Sequence, residues 1–131
     1  MLMSTVSSHA LRVLVVDDHE DGAEALALAL RLDGHEVRVA HDGREAMALC
    51  RACAPEMVLL DIALAEGPDG YEVARALRRQ PALKEACLVA VTGLGMQEDR
   101  RRAWEAGFDF YLLKPIDPAE LRELARAIRG A

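Results

Sequence analysis

The chain has 131 residues, of which 52% are hydrophobic and 29% charged, and its net charge is -6. These values predict a single globular domain with a buried core, and the acidic balance argues against direct binding to nucleic acid. No apolar run approaches the roughly 20 residues that span a bilayer, and three cysteines without an export signal predict reduced thiols. We therefore expect a cytoplasmic protein without membrane contact, with a flexible tail over 1–10 and one domain over 11–131.

Short apolar runs alternate with longer amphipathic segments along the whole domain. The runs are continuous and rich in Val, Leu and Ile, as in strands buried on both faces of a parallel sheet, whereas the longer segments have helical spacing. In chain order the predicted elements are strand 11–16, helix 20–32, strand 36–40, helix 43–53, strand 57–60, helix 69–79, strand 87–91, helix 97–106, strand 110–114 and helix 118–129. Strict alternation predicts right-handed crossovers and an open α/β sheet with helices on both faces.

Three of the predicted helices begin with recognisable capping residues. Asp42 with Glu45, and Asp69 with Glu72, have the spacing of a capping box. Asp117 is followed by a proline and, three residues later, by a glutamate, which is typical of an N-cap. These signals fix where the helices start.

Polar residues follow the apolar runs, at the strand ends where ligands bind in open parallel sheets. Asp17 and Asp18 follow the first strand, Asp61 the third, Thr92 the fourth and Lys114 the fifth. If the first and third strands are neighbours, as in the order 2-1-3-4-5, the three carboxylates converge. Clustered carboxylates repel one another, which favours recruitment of a cation.

The residue types at these strand ends suit phosphoryl chemistry. Carboxylate oxygens are the ligands that Mg²⁺ prefers, and an ammonium and a hydroxyl can contact a phosphoryl group. A carboxylate becomes a nucleophile toward phosphorus when neighbouring cations neutralise the developing charge. Asp61 stands alone after its strand, between the acid pair and the Thr92 and Lys114 pair in strand order, and is therefore the best candidate nucleophile.

Four stretches carry a family resemblance: VLVVDDHED, VLLDIALAEGPDG, AVTG and YLLKPID, at 13–21, 58–70, 90–93 and 111–117. In order and spacing they resemble the receiver domain of two-component response regulators over nearly the whole chain. The resemblance implies a doubly wound, flavodoxin-like parallel sheet of five strands in the order 2-1-3-4-5. It also implies transfer of a phosphoryl group from a histidine kinase or a histidine phosphotransfer protein to one aspartate.

The resemblance assigns the acceptor and the metal ligands residue by residue. Asp61 matches the phosphoacceptor, and Asp17 and Asp18 match the acid pair that binds Mg²⁺ together with Asp61. The backbone carbonyl of Ala63 matches the further protein ligand of the metal. The resemblance also implies that the chain is not an enzyme, apart from catalysing its own phosphorylation and autodephosphorylation.

The resemblance also assigns residues that contact the phosphoryl group and respond to it. Thr92 and Lys114 match the contacts to the phosphoryl oxygens, and Tyr111 matches the aromatic residue that, with Thr92, switches the surface of helix 4, strand 5 and helix 5. The bond between Lys114 and Pro115 matches a cis peptide of the family, and X-Pro bonds are those in which cis is accessible.

Several functional alternatives remain open from the sequence. We expect either a stand-alone receiver that contacts an output protein or a piece of a hybrid kinase or larger regulator that serves its own kinase module, and homodimerisation is left open. A pseudo-receiver, acting as a phosphorylation-independent interaction or dimerisation module, is the main alternative. A hydrolase of the haloacid dehalogenase type would have its nucleophile after the first strand, and Asp61 lies after the third.

The loop after Asp61 departs from the family pattern. Ala65 stands where the family usually has proline, and Gly70 falls one residue late. We therefore expect the loop over 64–69 to be longer and less restrained than usual, with Pro68 stiffening its far end.

Other residues with potential chemistry have simpler interpretations. Cys50 and Cys53 form a CxxC pair but lack the second ligand pair of a zinc site. We interpret His19 as a solvated or capping residue, His35 as an ordinary turn residue, and Trp104 as part of the core or of a half-buried helix face.

Overall fold

The computed structural model describes residues 10–65, 67–93 and 97–130, with side chains left out at 97–99. The strands are β1 (Arg12–Val16), β2 (Glu36–Ala40), β3 (Met57–Asp61), β4 (Cys87–Thr92) and β5 (Phe110–Leu113). The helices are α1 (Glu20–Leu32), α2 (Gly43–Cys53), α3 (Gly70–Arg78), α4 (Gln97–Ala106) and α5 (Pro118–Gly130), with a short 3₁₀ helix at Pro81–Leu83. The sequence analysis did not predict the 3₁₀ helix. Residues 1–9 of the predicted tail lie outside the described residues.

The five strands form one parallel sheet in the order β2-β1-β3-β4-β5, so the predicted fold is confirmed. Strands β1, β3 and β4 are almost fully buried, because helices cover both faces of the sheet. No helix in the described ranges is both long and apolar enough to cross a bilayer.

Alternate side chains of each strand enter one of two cores. Leu14 and Leu60 point to the face covered by α2, α3 and α4, where they pack with Leu77. Val15 and Leu59 point to the opposite face, which α1 and α5 cover. Because side chains alternate along a strand, this two-sided packing explains why the strands have continuous apolar sequences.

The predicted caps form, with one difference. Asp69 and Glu72 make a complete capping box at α3, whereas at α2 Asp42 accepts from the Glu45 N–H at 2.8 Å. The Glu45 carboxylate accepts from the N–H of His41, the residue before the cap, at 2.7 Å. At α2 the N3 side chain thus accepts from the residue before the N-cap and not from the N-cap itself, so the capping box is incomplete.

Two predictions about single residues are wrong. Trp104 is 72% exposed, because α4 buries the small residues Ala103 and Ala106, and a neighbour one position along a helix points about 100° away. His35 is buried, and its Nδ1 accepts the N–H of Leu11 at 3.1 Å. It is a core residue that ties the turn before β2 to the start of β1.

Candidate functional site

The carboxyl ends of β1, β3 and β4 lie side by side, and they bring the predicted polar residues together. Val16 pairs with Leu60 in the sheet, so Asp17 and Asp61 both continue from that level. Thr92 lies at the end of β4, one residue beyond the partner of Asp61. Because parallel strands end at the same edge, these residues surround one crevice.

Asp61 is the most deeply enclosed carboxylate of the crevice, with its side chain 3% exposed. Its Oδ1 accepts the backbone N–H of Ala63 at 2.9 Å. Its Oδ2 accepts from the Lys114 ammonium at 2.9 Å. Both oxygens are therefore fixed by hydrogen bonds, and the carboxylate lies at the carboxyl end of β3.

The Lys114 ammonium bridges two strand ends. Its Nζ lies 2.9 Å from Asp61 Oδ2 and 3.5 Å from Asp17 Oδ2. Burial alone lowers the pKa of Lys114, but the hydrogen bond and charge of Asp61, followed by those of Asp17, outweigh it and leave the pKa above its usual value. The ammonium therefore remains charged at neutral pH, next to the carboxylate that it contacts.

Asp17 is fixed by its backbone as well as its side chain. Its N–H donates to the carbonyl of Ala40 at 3.0 Å, an extension of the pairing between β1 and β2. Its carbonyl accepts from Nδ1 of His41 at 3.1 Å. Its Oδ1 accepts the N–H of His19 at 2.9 Å. The carboxylate of this buried residue is consequently oriented before any ligand arrives.

Asp18 has one occupied and one unsatisfied oxygen. Its Oδ2 accepts the N–H of Ala65 at 3.0 Å. Its Oδ1 is buried and has no hydrogen-bond partner within the part of the chain that the structure describes. An orphaned carboxylate oxygen is costly unless a cation approaches it, so this atom points to a cation site.

The composition of the crevice fits a divalent ion. Asp17, Asp18, His19 and Asp61 each offer a ligand atom, and these atoms lie within 4.8 Å of one another. Three carboxylates face a single lysine, so the described side chains leave an excess of negative charge. The three carboxylates supply the oxygen donors that Mg²⁺ prefers.

Thr92 and Tyr111 occupy the side of the site near α4. Thr92 is buried, and its carbonyl accepts the N–H of Lys114 at 2.8 Å. Tyr111 is half-buried, and the guanidinium of Arg100 lies 5.3 Å from the centroid of its ring. Such a cation–π contact joins α4 to β5 next to the site. The peptide bond between Lys114 and Pro115 is cis.

The loop after Asp61 is held by contacts at both ends, while its being longer and less restrained than usual stays a prediction. Leu64 is buried, and Ala65 makes the bond to Asp18. At the far end Gly70 donates to the carbonyl of Ile62 at 3.1 Å. A Cβ on Gly70 would lie 2.5 Å from Ile62 Cα, so only glycine permits this approach. Residue 66 lies outside the described residues.

Sequence reasoning undervalued two contributors to the site. The His19 side chain is 78% exposed, so the solvated interpretation is confirmed, but its ring makes no capping hydrogen bond. The ring instead forms a hydrogen bond with Asp17 Oδ1 at 3.3 Å and lies 3.2 Å from Asp18 Oδ1. The other contributor is the N–H of Ala65. The sequence shows that Ala65, unlike proline, has a backbone N–H that can donate. It does not show the acceptor, Asp18, which is 47 residues away.

Comparison with known proteins identifies the family to which this fold and acidic crevice belong. The family model of the response regulator receiver domain matches residues 13–126. A 14.6 kDa protein encoded in the sodA1 3′ region of Leptolyngbya boryana is 36% identical over 87% of this chain and 86% of its own length. Response regulator PleD of Caulobacter vibrioides is 35% identical over 89% of this chain, which spans only 26% of PleD.

A solved structure resembles the whole described fold. The receiver domain of the sensor histidine kinase PA1611 from Pseudomonas aeruginosa, with a magnesium ion coordinated in its active-site cleft, aligns with a TM-score of 0.85 and 28% identity. The alignment covers 94% of this chain and 100% of that one. With the sheet order, the acidic crevice and the match over 13–126, these likenesses show that the chain belongs to the response regulator receiver domain family.

Proposed function

We propose that this receiver accepts a phosphoryl group on Asp61 from the phosphohistidine of a histidine kinase or a histidine phosphotransfer protein. The observation that carries the proposal is the position of the Asp61 carboxylate, between the Lys114 ammonium at 2.9 Å and an acid pair with an unsatisfied, buried oxygen. Such a site holds a carboxylate nucleophile beside one fixed cation and prepares it for a second cation.

Mg²⁺ is the cofactor that the proposed function requires. Asp17, Asp18, Asp61 and the backbone carbonyl of Ala63 are the groups that would hold it. When bound, the ion would offset the negative charge that accumulates as a phosphoryl group meets a carboxylate. The magnesium ion named for the PA1611 receiver supports this assignment.

The chemistry itself falls to residues of this chain and to the donor. A carboxylate oxygen of Asp61 attacks phosphorus, the P–N bond of the phosphohistidine breaks, and the imidazole leaves with the bonding electron pair. Lys114 balances charge on the phosphoryl oxygens, and the Thr92 hydroxyl donates a hydrogen bond to one of them. Water then attacks phosphorus, the P–O bond to Asp61 breaks, inorganic phosphate leaves and Asp61 returns to a carboxylate, so the cycle needs no separate hydrolase activity.

The signal leaves the site through Thr92 and Tyr111. When the Thr92 hydroxyl turns toward the phosphoryl group, the space beside β4 changes, and Tyr111 changes rotamer. The contact of Arg100 with the Tyr111 ring then alters, which couples the site to α4. We propose that the surface of α4, β5 and α5 is the one that an output protein or the chain's own kinase module recognises.

We also propose the domain bounds, the cellular location and the kinds of partner of this receiver. Residues 11–131 form the receiver and 1–10 a tail, and the domain works in the cytoplasm through protein contacts, without direct contact to nucleic acid or membrane. The net charge of -6 supports the absence of nucleic-acid binding. Homodimerisation would be one mode of output.

Phosphorylation with acetyl phosphate and Mg²⁺ tests the proposed function, with intact-mass spectrometry as the readout. The wild type and the control Asp21→Asn, which alters an exposed acid of α1, should both gain one phosphoryl group. Asp61→Asn should gain none, and hydroxylamine should convert only the wild type and the control to a hydroxamate. Equal labelling of Asp61→Asn contradicts the proposal, and a folded wild type that resists every donor favours the pseudo-receiver.

A further inference from the structure

We propose that His19 is a nitrogen ligand of the metal site, so that the site takes Mn²⁺ and the later first-row divalent ions more strongly than its carboxylates alone would. This inference rests on the proposed function, since it concerns the same cation site. It assigns to this chain a ligand beyond the oxygen set of Asp17, Asp18, Asp61 and Ala63.

The spacing of the ring nitrogen fits coordination. His19 Nδ1 lies 3.3 Å from Asp17 Oδ1 and 3.2 Å from Asp18 Oδ1. Adjacent ligands of an octahedral ion with bonds of about 2.1 to 2.3 Å are about 3.0 to 3.3 Å apart. The nitrogen therefore has, to each of the two oxygens, the separation of a neighbouring ligand on one ion, and all the ligand atoms lie within 4.8 Å of one another.

The unsatisfied oxygen of Asp18 indicates where the ion would enter. Asp18 Oδ1 lies 3.2 Å from the His19 nitrogen, yet it is buried without a hydrogen-bond partner among the described residues. Its other oxygen is already held by the Ala65 N–H. The two atoms are thus close without forming a hydrogen bond, so the Asp18 oxygen remains available to an ion that the His19 ring could also reach.

The opposite side of the cluster is closed to a metal. Lys114 contacts the Oδ2 atoms of Asp17 and Asp61. The Oδ1 atom of Asp17 faces His19 instead. A divalent ion therefore approaches from the side of His19, away from the ammonium that would repel it.

The backbone of His19 is fixed while its ring can adjust. Its N–H donates to Asp17 Oδ1 at 2.9 Å, and its carbonyl accepts from Ala23 at 3.0 Å as the first bond of α1. The side chain is 78% exposed. The ring can therefore rotate by the small amount that ligation requires, without any repacking of the core.

The identity of the donor atom predicts a change in ion preference. Imidazole nitrogen binds ions of the later first-row series well, while Mg²⁺ prefers oxygen. Replacing His19 should therefore weaken Co²⁺ and Ni²⁺ binding by about tenfold or more, Mn²⁺ binding by a smaller factor, and Mg²⁺ binding by less than about twofold.

Pulsed electron paramagnetic resonance of the Mn²⁺-loaded protein tests the ligand directly. The wild type should show coupling of the manganese electron spin to a nitrogen nucleus. His19→Ala should lose this coupling, whereas His41→Ala should keep it, because His41 contacts only a backbone carbonyl of the site. Calorimetric titrations of both variants with Co²⁺ and Mg²⁺ should show the predicted loss of selectivity only for His19→Ala.

Two outcomes would overturn the inference. One is a wild type that binds Mn²⁺ without nitrogen coupling, and the other is a His19→Ala variant that keeps both the coupling and its Co²⁺ affinity. In either case labelling of Asp61 by acetyl phosphate would proceed, so the proposed function would stand. A wild type that binds no divalent ion and takes no phosphoryl group would refute both.

Discussion

The backbone N–H of Ala65 donates a hydrogen bond of 3.0 Å to Asp18 Oδ2, across 47 residues of sequence. This bond fixes the carboxylate while its other oxygen, Oδ1, stays without a hydrogen-bond partner among the residues that the structure describes. Proline, the residue that the family usually has at this position, lacks the N–H that makes the bond. The departure in the loop thus supports the acid pair instead of loosening it.

Ala65→Pro should weaken Mg²⁺ binding by about tenfold, since a hydrogen bond to a charged group contributes about 1.5 to 3 kcal/mol and only part of it acts on the metal. Calorimetric titration of the purified protein measures the effect. Ala65→Gly is the matched control, because it keeps the N–H, and it should bind within about twofold of wild type. Equal affinity of the proline variant would show that Asp18 does not need this donor.

Lys114→Met should change two properties in opposite directions. Removing the ammonium from between Asp17 and Asp61 should tighten Mg²⁺ binding several-fold, because a competing positive charge is lost. Phosphorylation by acetyl phosphate should slow by about a hundredfold, as when one electrostatic contact to the transition state is removed.

The exposed Lys84 provides the control for that experiment, and Lys84→Met should leave both values unchanged. If Lys114→Met lowered the Mg²⁺ affinity, the ammonium would be a support of the metal site and not its competitor.

Gly70→Ala should destabilise the fold by about 2 to 3 kcal/mol, as overpacking against fixed atoms does. The added Cβ would lie 2.5 Å from Ile62 Cα and 2.7 Å from the Asp61 carbonyl oxygen, and these backbone atoms cannot move aside. Urea denaturation measures the change. Gly130→Ala is the control, because nothing lies within 4 Å of its Cβ, and it should be neutral or slightly stabilising.

Alkaline pH should destabilise the protein through the thiols of Cys50, which is buried, and Cys87, which is half-buried. Burial, aided by Cys53, raises the pKa of Cys50 to about 12, and burial, aided by Asp109, raises that of Cys87 to about 11. A raised pKa means that the unfolded chain loses these protons first, so stability is complete below about pH 9 and falls as the pH rises toward 11.

Urea denaturation at a series of pH values from 8 to 10.5, at intervals of about half a pH unit, measures this decline. The double variant Cys50→Ala and Cys87→Ala should show a shallower fall above about pH 9 than the wild type, whatever its stability at pH 8. Lys114, whose pKa is also raised, should account for part of the remaining slope. Identical slopes would mean that the thiols do not cause the loss.

The sequence by itself determined the strands, the α-helices and the place of the site. Continuous apolar runs and helical spacing are local patterns, and they located each strand and α-helix of the described chain to within about one residue of where it lies, although the short 3₁₀ helix at Pro81–Leu83 was missed. The rule that ligands bind beyond the carboxyl ends of parallel strands then selected Asp17, Asp61, Thr92 and Lys114. Their convergence required only the strand order.

Tertiary structure alone decided which atoms of those residues are available. That Asp18 keeps one oxygen without a partner among the described residues, and that Trp104 is exposed, both depend on packing between segments far apart in sequence. Periodicity reports which side of an element faces inward, but it carries no information on distances across the crevice. Those distances follow from how the elements pack, and they fix the site's charge, donors and ligands.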